Sequence, residues 1–432
     1  MTVSRRTLLT TGATGAMWPA APAAATGAQR TAVTGPPGPA ARAGSAPRMR
    51  TGFERLAADG YRLLTGQRVG IITNQSGITS DARGVVDVMH ADRRVRLTAV
   101  FGAEHGYRGT PQAGLSEGDY TDPATKLPVL DTYRKSGQRL ADVFTKAGVD
   151  TLVYDSQDAG ARFYTCIWTL YDCMVAAALA GKRFVVLDRP NPVSGREAYG
   201  PVLDPRYATF IGRAPIAQAH GMTVGELALL YNGEFLRAAA GRPVELEVVE
   251  MSGWRRADFF DATGLPWVPP SPNMATPDTA LVYAGTGLFE GTTMSEGRGT
   301  VRPFEMLGAE GLDGRWAEAA NAAGLRGVRF REAYYVPTFG AFQGRTVGGL
   351  HIHVHDRTAY DPVRTAVALL VTAKRTWRGF AWRPDRFIDK LSGSSRLRTM
   401  IDAGAGTDDV TGAWQEELTA FRAVRRRYLR YR

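Results

Sequence analysis

Residues 95–109 read VRLTAVFGAEHGYRG. A short apolar run ends in a polar turn that holds three glycines, one carboxylate, Glu104, and one imidazole, His105. The same pattern recurs along the chain, in QRVGIITNQSG (67–77), VDTLVYDSQDAG (149–160), GKRFVVLDRPNP (181–192), VELEVVEM (244–251) and ALVYAGTGLFEG (280–291). These runs predict strands that are apolar throughout, so both sheet faces must be covered. Amphipathic stretches near 81–91, 137–147, 165–180 and 223–239 supply the helices to cover them. Such alternation predicts an α/β fold with a doubly wound, mostly parallel sheet. After about residue 305 the texture changes to VRFREAYYVP (328–337), GGLHIHVHD (348–356) and an apolar helix near 362–374, which predicts a second, smaller α+β domain.

Domain expectations follow. Residues 1–25 carry SRRTLL and then Ala23-Ala24-Ala25, the pattern of a twin-arginine signal peptide with a small-residue cleavage site. This predicts a secreted or wall-associated protein. Residues 26–50, rich in Pro, Gly and Ala, predict a disordered linker. Residues 51–305 form the expected catalytic domain, and 306–432 a smaller C-terminal domain closing the cleft.

The net charge of +11 is carried by the ends of the chain. Residues 1–50 and 422–432 each hold six arginines and no acid; the remaining 41 bases face 42 acids. No nucleic-acid module accompanies that charge, so a nucleic-acid partner is not expected. The C-terminal RAVRRRYLRYR reads as a solvated helix end, or as a contact for an anionic cell wall. Cys166 and Cys173 fall two helical turns apart, ~10 Å along one helix, too far for a disulfide; free, buried thiols are expected.

In open parallel sheets ligands bind beyond the carboxyl ends of the strands. Those ends here carry Asn74 and Gln75; Glu104, His105 and Arg108; Asp155, Gln157, Asp158 and Arg162; and Asp188, Arg189 and Asn191. His220 precedes a helix start in AHGMTVGEL, where Thr223 and Glu226 have capping-box spacing and so a structural role. The stretch 270–305 adds Asn273, Glu290, Glu296, Arg298 and Arg302. Carboxylates, Arg, Asn and aromatics such as Tyr107, Tyr164, Trp168 and Trp267 suit a sugar bearing a carboxylate, because Arg binds carboxylates bidentately. GxSxG, SxxK, P-loop and HExxH motifs are absent, and GTGLFEG lacks the GxGxxG spacing of a dinucleotide site. No cofactor is expected. His351, His353 and His355 share one strand face, a geometry that can bind zinc, but no convincing ligand set accompanies them and no metal is expected.

GIITNQSGI (70–78), FGAEHGYRG (101–109), QDAGARFYT (157–165), VLDRPNPVSG (186–195), HGMTVGELA (220–228), PSPNM (270–274) and GLFEGTTMSEGRGTVRPFE (287–305) together resemble the exo-β-N-acetylmuramidases of glycoside hydrolase family 171. The resemblance runs from about residue 53 to the C-terminus. It implies a Rossmann-like catalytic domain, a smaller C-terminal domain, and release of N-acetylmuramic acid from the non-reducing end of peptidoglycan fragments. Glu104 occupies the family's candidate catalytic position. Ala103 and Ala284 stand where the family usually has Pro, and Cys166, Thr293 and Ala275 also depart from its pattern.

Glu104, His105, Asp155, Asp188 and Glu296 are therefore the catalytic candidates. Asn74, Arg108, Asp158, Arg162, Tyr164, Arg189, Asn191, His220, Asn273, Glu290 and Arg298 are the substrate-binding ones, with Arg162 and Arg298 the candidates for the lactyl carboxylate. A non-catalytic wall-binding protein and a carbohydrate esterase or amidase are the alternative functions.

Overall fold

A computed structural model describes residues 49–432. The expected signal, and the expected linker as far as residue 48, lie outside the described residues. Met49 and Arg50, placed in that linker by sequence, belong to the folded body. Met49 packs in a small apolar cluster with Met251 and Trp254. Arg50 exchanges backbone hydrogen bonds of 2.9 and 3.0 Å with Ser252.

The strands in chain order are β1 Arg68–Thr73, β2 Arg96–Gly102, β3 Tyr120–Thr121, β4 Pro128–Asp131, β5 Thr151–Asp155, β6 Arg183–Leu187, β7 Tyr199–Val202, β8 Ala217–Ala219, β9 Glu245–Val249, β10 Met306–Ala309, β11 Val328–Tyr335 and β12 Val347–Val354. The main sheet runs β3-β4-β2-β1-β5-β6-β9. Every neighbouring pair is parallel except β3 with β4. Counting only the parallel strands gives the order 3-2-1-4-5-6 of the doubly wound dinucleotide folds, whose winding reverses between β1 and β5. Every residue of β5 is buried, as are all but the first of β1. Helices Gly52–Ala58 and Val85–Ala91 cover one face. Helices Gly137–Lys146, Cys166–Ala180 and Val224–Leu230 cover the other.

One expected strand is a helix. Within 280–291, residues up to Thr286 belong to the helix Pro277–Thr286, and a tight 3₁₀ turn, Gly287–Gly291, follows. A run that is buried on all sides has no period to separate strand from helix. The decisive signals lie upstream: Thr276 and Thr279 form a reciprocal cap, and Pro277 occupies the first turn.

The C-terminal part is a three-stranded antiparallel sheet, β10-β12-β11, with helices Arg315–Ala322 and Pro362–Thr376 packed in the same core. Helix Pro362–Thr376 meets helix Pro277–Thr286 at Gly285, where an added Cβ would stand 1.9 Å from the Pro362 carbonyl oxygen. The chain then returns to its first part. The described residues form one compact unit, and helix Gln415–Arg426 packs beside β7. The arginines of this helix and of the residues after it are largely engaged by the body. Arg425 is buried and donates to the Gly195 and Gly221 carbonyls. Arg422, Arg427 and Arg430 face Glu197, Glu234 and Glu250.

Both cysteines are free; Cys173 is buried and Cys166 half-buried. Burial pushes the Cys166 thiol up to about 12. Among the described residues no helix is long and apolar enough to cross a membrane.

Candidate active site

A cleft of about 680 Å³ opens at the carboxyl end of the sheet, within the ~300–1,000 Å³ range of small-molecule sites. Its first wall comes from the loops after β2, β4 and β5. Glu104, two residues past β2, is its centre. Its Oε1 accepts from the Gly114 N–H at 2.7 Å and lies 3.5 Å from the Tyr133 hydroxyl. Its Oε2 accepts from the Thr165 hydroxyl at 2.5 Å. Thr165 opens the helix Cys166–Ala180 but makes no side-chain cap there; its hydroxyl turns to Glu104 instead.

The loop carrying Gly114 is tied down from within. His105 sits in the left-handed region, φ 68°. Its N–H donates to the Leu115 carbonyl at 2.9 Å, and its Nδ1 lies 3.0 Å from the Pro111 carbonyl oxygen. Glu117 accepts the Tyr107 and Arg108 N–H groups at 3.0 and 3.1 Å. Gly106, φ 72°, leaves room for the Glu117 side chain, whose Cγ an added Cβ would meet at 2.2 Å. His105 lines the cleft, and its bonds shape the loop that delivers Gly114 to Glu104.

The second wall is the segment 290–298. Arg298 pairs with both Glu290 and Glu296, the latter at 3.0 Å, and lies over the Phe304 ring at 5.1 Å. Burial pushes the Glu296 carboxyl up; Glu290 adds to the rise and Arg298 opposes it. The floor is aromatic. Tyr283 meets Phe163, Tyr164 and Phe304 edge-on, with ring centres 5.2, 6.0 and 4.6 Å apart. The site can therefore seat a pyranose on aromatic rings, between a carboxylate held by several donors and a carboxylate–guanidinium cluster.

The structure brings Glu104, His105, Tyr164, Glu290, Glu296 and Arg298 to this cleft. Asn74 lines an adjoining recess beside Glu104, although its side chain serves Ser76 and the Pro270 carbonyl. Asn273 sits behind the lining and reaches Gln112 at 3.3 Å.

Other expected site residues are placed elsewhere, each held by its own partners. Asp155 is buried in an ion pair with Arg189, which also donates to the Ile78 carbonyl. Asp188 is buried and accepts from the N–H groups of Arg189 and Gly225 and the hydroxyls of Thr223 and Tyr431. Neither carboxylate lines the cleft, where the sequence placed both as catalytic candidates. Arg162 is fully buried and donates to the carbonyls of Pro201, Ile216 and Leu391 at 2.7–3.0 Å, so it binds backbone where a substrate carboxylate was expected. Arg108 pairs with Asp122 at 2.6 Å and lies over the Tyr107 ring. Asp158 and His220 form a buried pair, with Oδ2 3.1 Å from Nε2. Asn191 bonds the Met222 carbonyl. Arg108, Asp158, Arg162, Arg189, Asn191 and His220 do not line the cleft, and each has a partner within the protein.

Tyr133, Arg134, Thr165, Phe210 and Tyr283 also line the cleft and were missed by sequence. Tyr133 and Arg134 follow β4, Phe210 lies in the loop between β7 and β8, Thr165 ends QDAGARFYT and opens a helix, and Tyr283 sits inside the apolar run mistaken for a strand. The histidine face differs in one respect. Glu305, distant in sequence, lies 4.0 Å from His351. Even so, no group of three or more His, Cys, Asp or Glu side chains among the described residues is arranged to hold a metal ion.

Comparison with known proteins identifies the family. The family models described as exo-β-N-acetylmuramidase NamZ match residues 69–278 with the N-terminal model and 281–431 with the C-terminal one. The peptidoglycan β-N-acetylmuramidase NamZ of Bacillus subtilis (strain 168) is 41% identical over 387 residues, covering 89% of this chain and 92% of that protein. A crystal structure of a DUF1343 family protein from Bacteroides fragilis NCTC 9343 superposes with a TM-score of 0.83 at 32% identity, covering 90% of this chain and all of that one. A second from the same organism gives 0.69 at 26% identity, covering 89% and 99%.

Proposed function

The chain belongs to the exo-β-N-acetylmuramidase family, and from that membership we infer that it is a glycosidase releasing N-acetylmuramic acid from the non-reducing end of peptidoglycan fragments. Glycoside cleavage needs a proton on the leaving oxygen and stabilisation of an oxocarbenium-like centre. We assign the proton donor to Glu104. The observation that carries this is its position: a carboxyl oriented by Gly114 and Thr165 at the mouth of an aromatic-floored cleft, at the end of a parallel strand.

The other wall faces the same sugar with Glu290, Glu296 and Arg298. Its carboxylates offer negative charge to the cationic centre, or a partner for the substrate's 2-acetamido group. The rise in the Glu296 carboxyl supports a second reading, in which Glu296 is the acid.

Substitution separates the two. Glu104→Gln keeps shape and removes the transferable proton, so turnover of the natural disaccharide should fall by ~10²–10⁴-fold. An aryl glycoside with an acidic phenol needs less protonation and should lose less, and the muramic-acid product should still bind. If Glu296→Gln shows that leaving-group dependence and Glu104→Gln does not, the acid is Glu296. A protein that binds wall fragments and releases no sugar from either substrate would be the non-catalytic alternative.

A further inference from the structure

Muramic acid differs from glucosamine by an ether-linked lactyl group ending in a carboxylate. An enzyme that reads this difference needs a cation facing the sugar. Three guanidinium groups line the cleft: Arg134, Arg298 and Arg383. Arg298 is matched by two carboxylates. Arg383 pairs with Asp385 at 2.8 Å. Arg134 has no carboxylate partner among the described residues, and the Tyr133 hydroxyl is its polar neighbour.

Arg134 is nonetheless held in place. Its guanidinium lies over two rings, 5.1 Å from the centre of Tyr133 and 5.0 Å from that of Phe210. Rings engage the face of a guanidinium and leave its N–H edge free, the edge that binds a carboxylate bidentately. Phe210 is 37% exposed at the cleft lip; its contact with Arg134 accounts for an aromatic left in solvent. Arg134 also adopts the left-handed region, φ 55°, a conformation that costs a non-glycine residue energy and clusters at ligand sites. Tyr133, the ring beneath it, is the one whose hydroxyl lies 3.5 Å from Glu104. The Tyr133 hydroxyl therefore neighbours both the Arg134 guanidinium and the proposed acid, which puts the two groups at one end of the cleft.

We propose that Arg134 is the specificity-determining residue that pairs with the lactyl carboxylate of the terminal muramic acid, with Tyr133 and Phe210 presenting its guanidinium. This assigns to Arg134 the part that sequence gave to Arg162 and Arg298. It rests on the muramidase reading above and adds the residue that distinguishes the sugar.

The test uses the full chain and two chromogenic β-glycosides of N-acetylmuramic acid. One carries the free lactyl carboxylate, and in the other it is converted to the neutral methylamide. The wild type should prefer the acid. Arg134→Gln should lose about 10- to 100-fold in kcat/KM on the acid, the range of a charge-assisted hydrogen bond. The loss should appear chiefly in KM, with little change on the amide, so that the acid-to-amide ratio falls towards one. Arg134→Lys should fall between the two, because an ammonium keeps charge and loses the bidentate edge. Glu104→Gln provides the contrast, since it should slow both glycosides and leave their ratio intact. Equal loss on acid and amide in Arg134→Gln, or an unchanged preference for the acid, overturns the assignment. Failure of the wild type on both glycosides is a separate result, which overturns the muramidase reading and this inference with it.

Discussion

At the scale of single residues, Asp188 is a carboxyl that sequence assigned to chemistry and the fold uses for packing. Burial, with a contribution from Glu226, pushes its pKa up to about 7 against the bonds from Tyr431, Gly225 and Thr223. A carboxyl raised in the folded state holds its proton there when the unfolded chain has lost it. The folded state then binds more protons between about pH 4 and 7, so the stability Asp188 contributes is fully present below pH 4 and lost as pH rises through 7. The swing is of the order of a few kcal/mol. Asp188→Asn removes the titration, so the fall in urea midpoint from pH 4 to 7 should be shallower in the variant. An identical pH slope in both proteins would show that Asp188 keeps its ordinary pKa. Legibility at this scale was partial: Glu104 announced itself by its place at a strand end, but Asp188 had an equivalent place and a different fate.

At the scale of elements, capping signals read more reliably than apolar runs. Thr223 and Glu226 make the reciprocal cap their spacing foretold, the Glu226 N–H donating to Thr223 at 3.2 Å and the Thr223 N–H to Glu226 at 3.1 Å. ALVYAGTGLFEG misled because burial on every side erased its period. The resulting helix carries a strict packing condition at Gly285. Gly285→Ala would drive a methyl into the Pro362 carbonyl, a backbone atom that cannot rotate away. The two helices must then part, at a cost of about 1–3 kcal/mol or more, read as a lower urea midpoint. Gly412, which ends the helix Thr407–Gly412 with open space around it, is the control. Gly412→Ala should be neutral or mildly stabilising. Equal effects at the two positions would mean that the close approach at Gly285 is not felt.

At the scale of the whole molecule, Arg162 joins parts of the chain that sequence treats as separate. Its guanidinium gathers carbonyls from β7, from the segment entering β8 and from the helix Phe387–Ser392. Burial pushes its pKa down to about 9, so it remains charged near neutrality. Arg162→Met would strand three buried acceptors, each worth ~1–3 kcal/mol when left unmade. A loss on the order of 3–5 kcal/mol follows, measured by denaturant unfolding. KM for the muramic-acid glycoside should stay unchanged in the protein that remains folded. A raised KM at unchanged stability would return Arg162 to the substrate.

Sequence alone determined what depends on neighbours along the chain: the alternation that makes a doubly wound sheet, the polar strand ends that place Glu104 at the cleft, and the caps that start helices. Apolar periodicity and capping act over a few residues, so one short stretch contains the whole signal. Tertiary structure alone decided which of the equivalent strand-end groups lines the cleft. Tyr431 closes over Asp188 from 243 residues away, and the Leu391 carbonyl reaches Arg162 from 229. Burying a charge or a polar group is tolerated only with partners to satisfy it, and those partners are brought together by folding. Among the described residues no cation pairs with Glu104 and no carboxylate with Arg134, and both line the cleft.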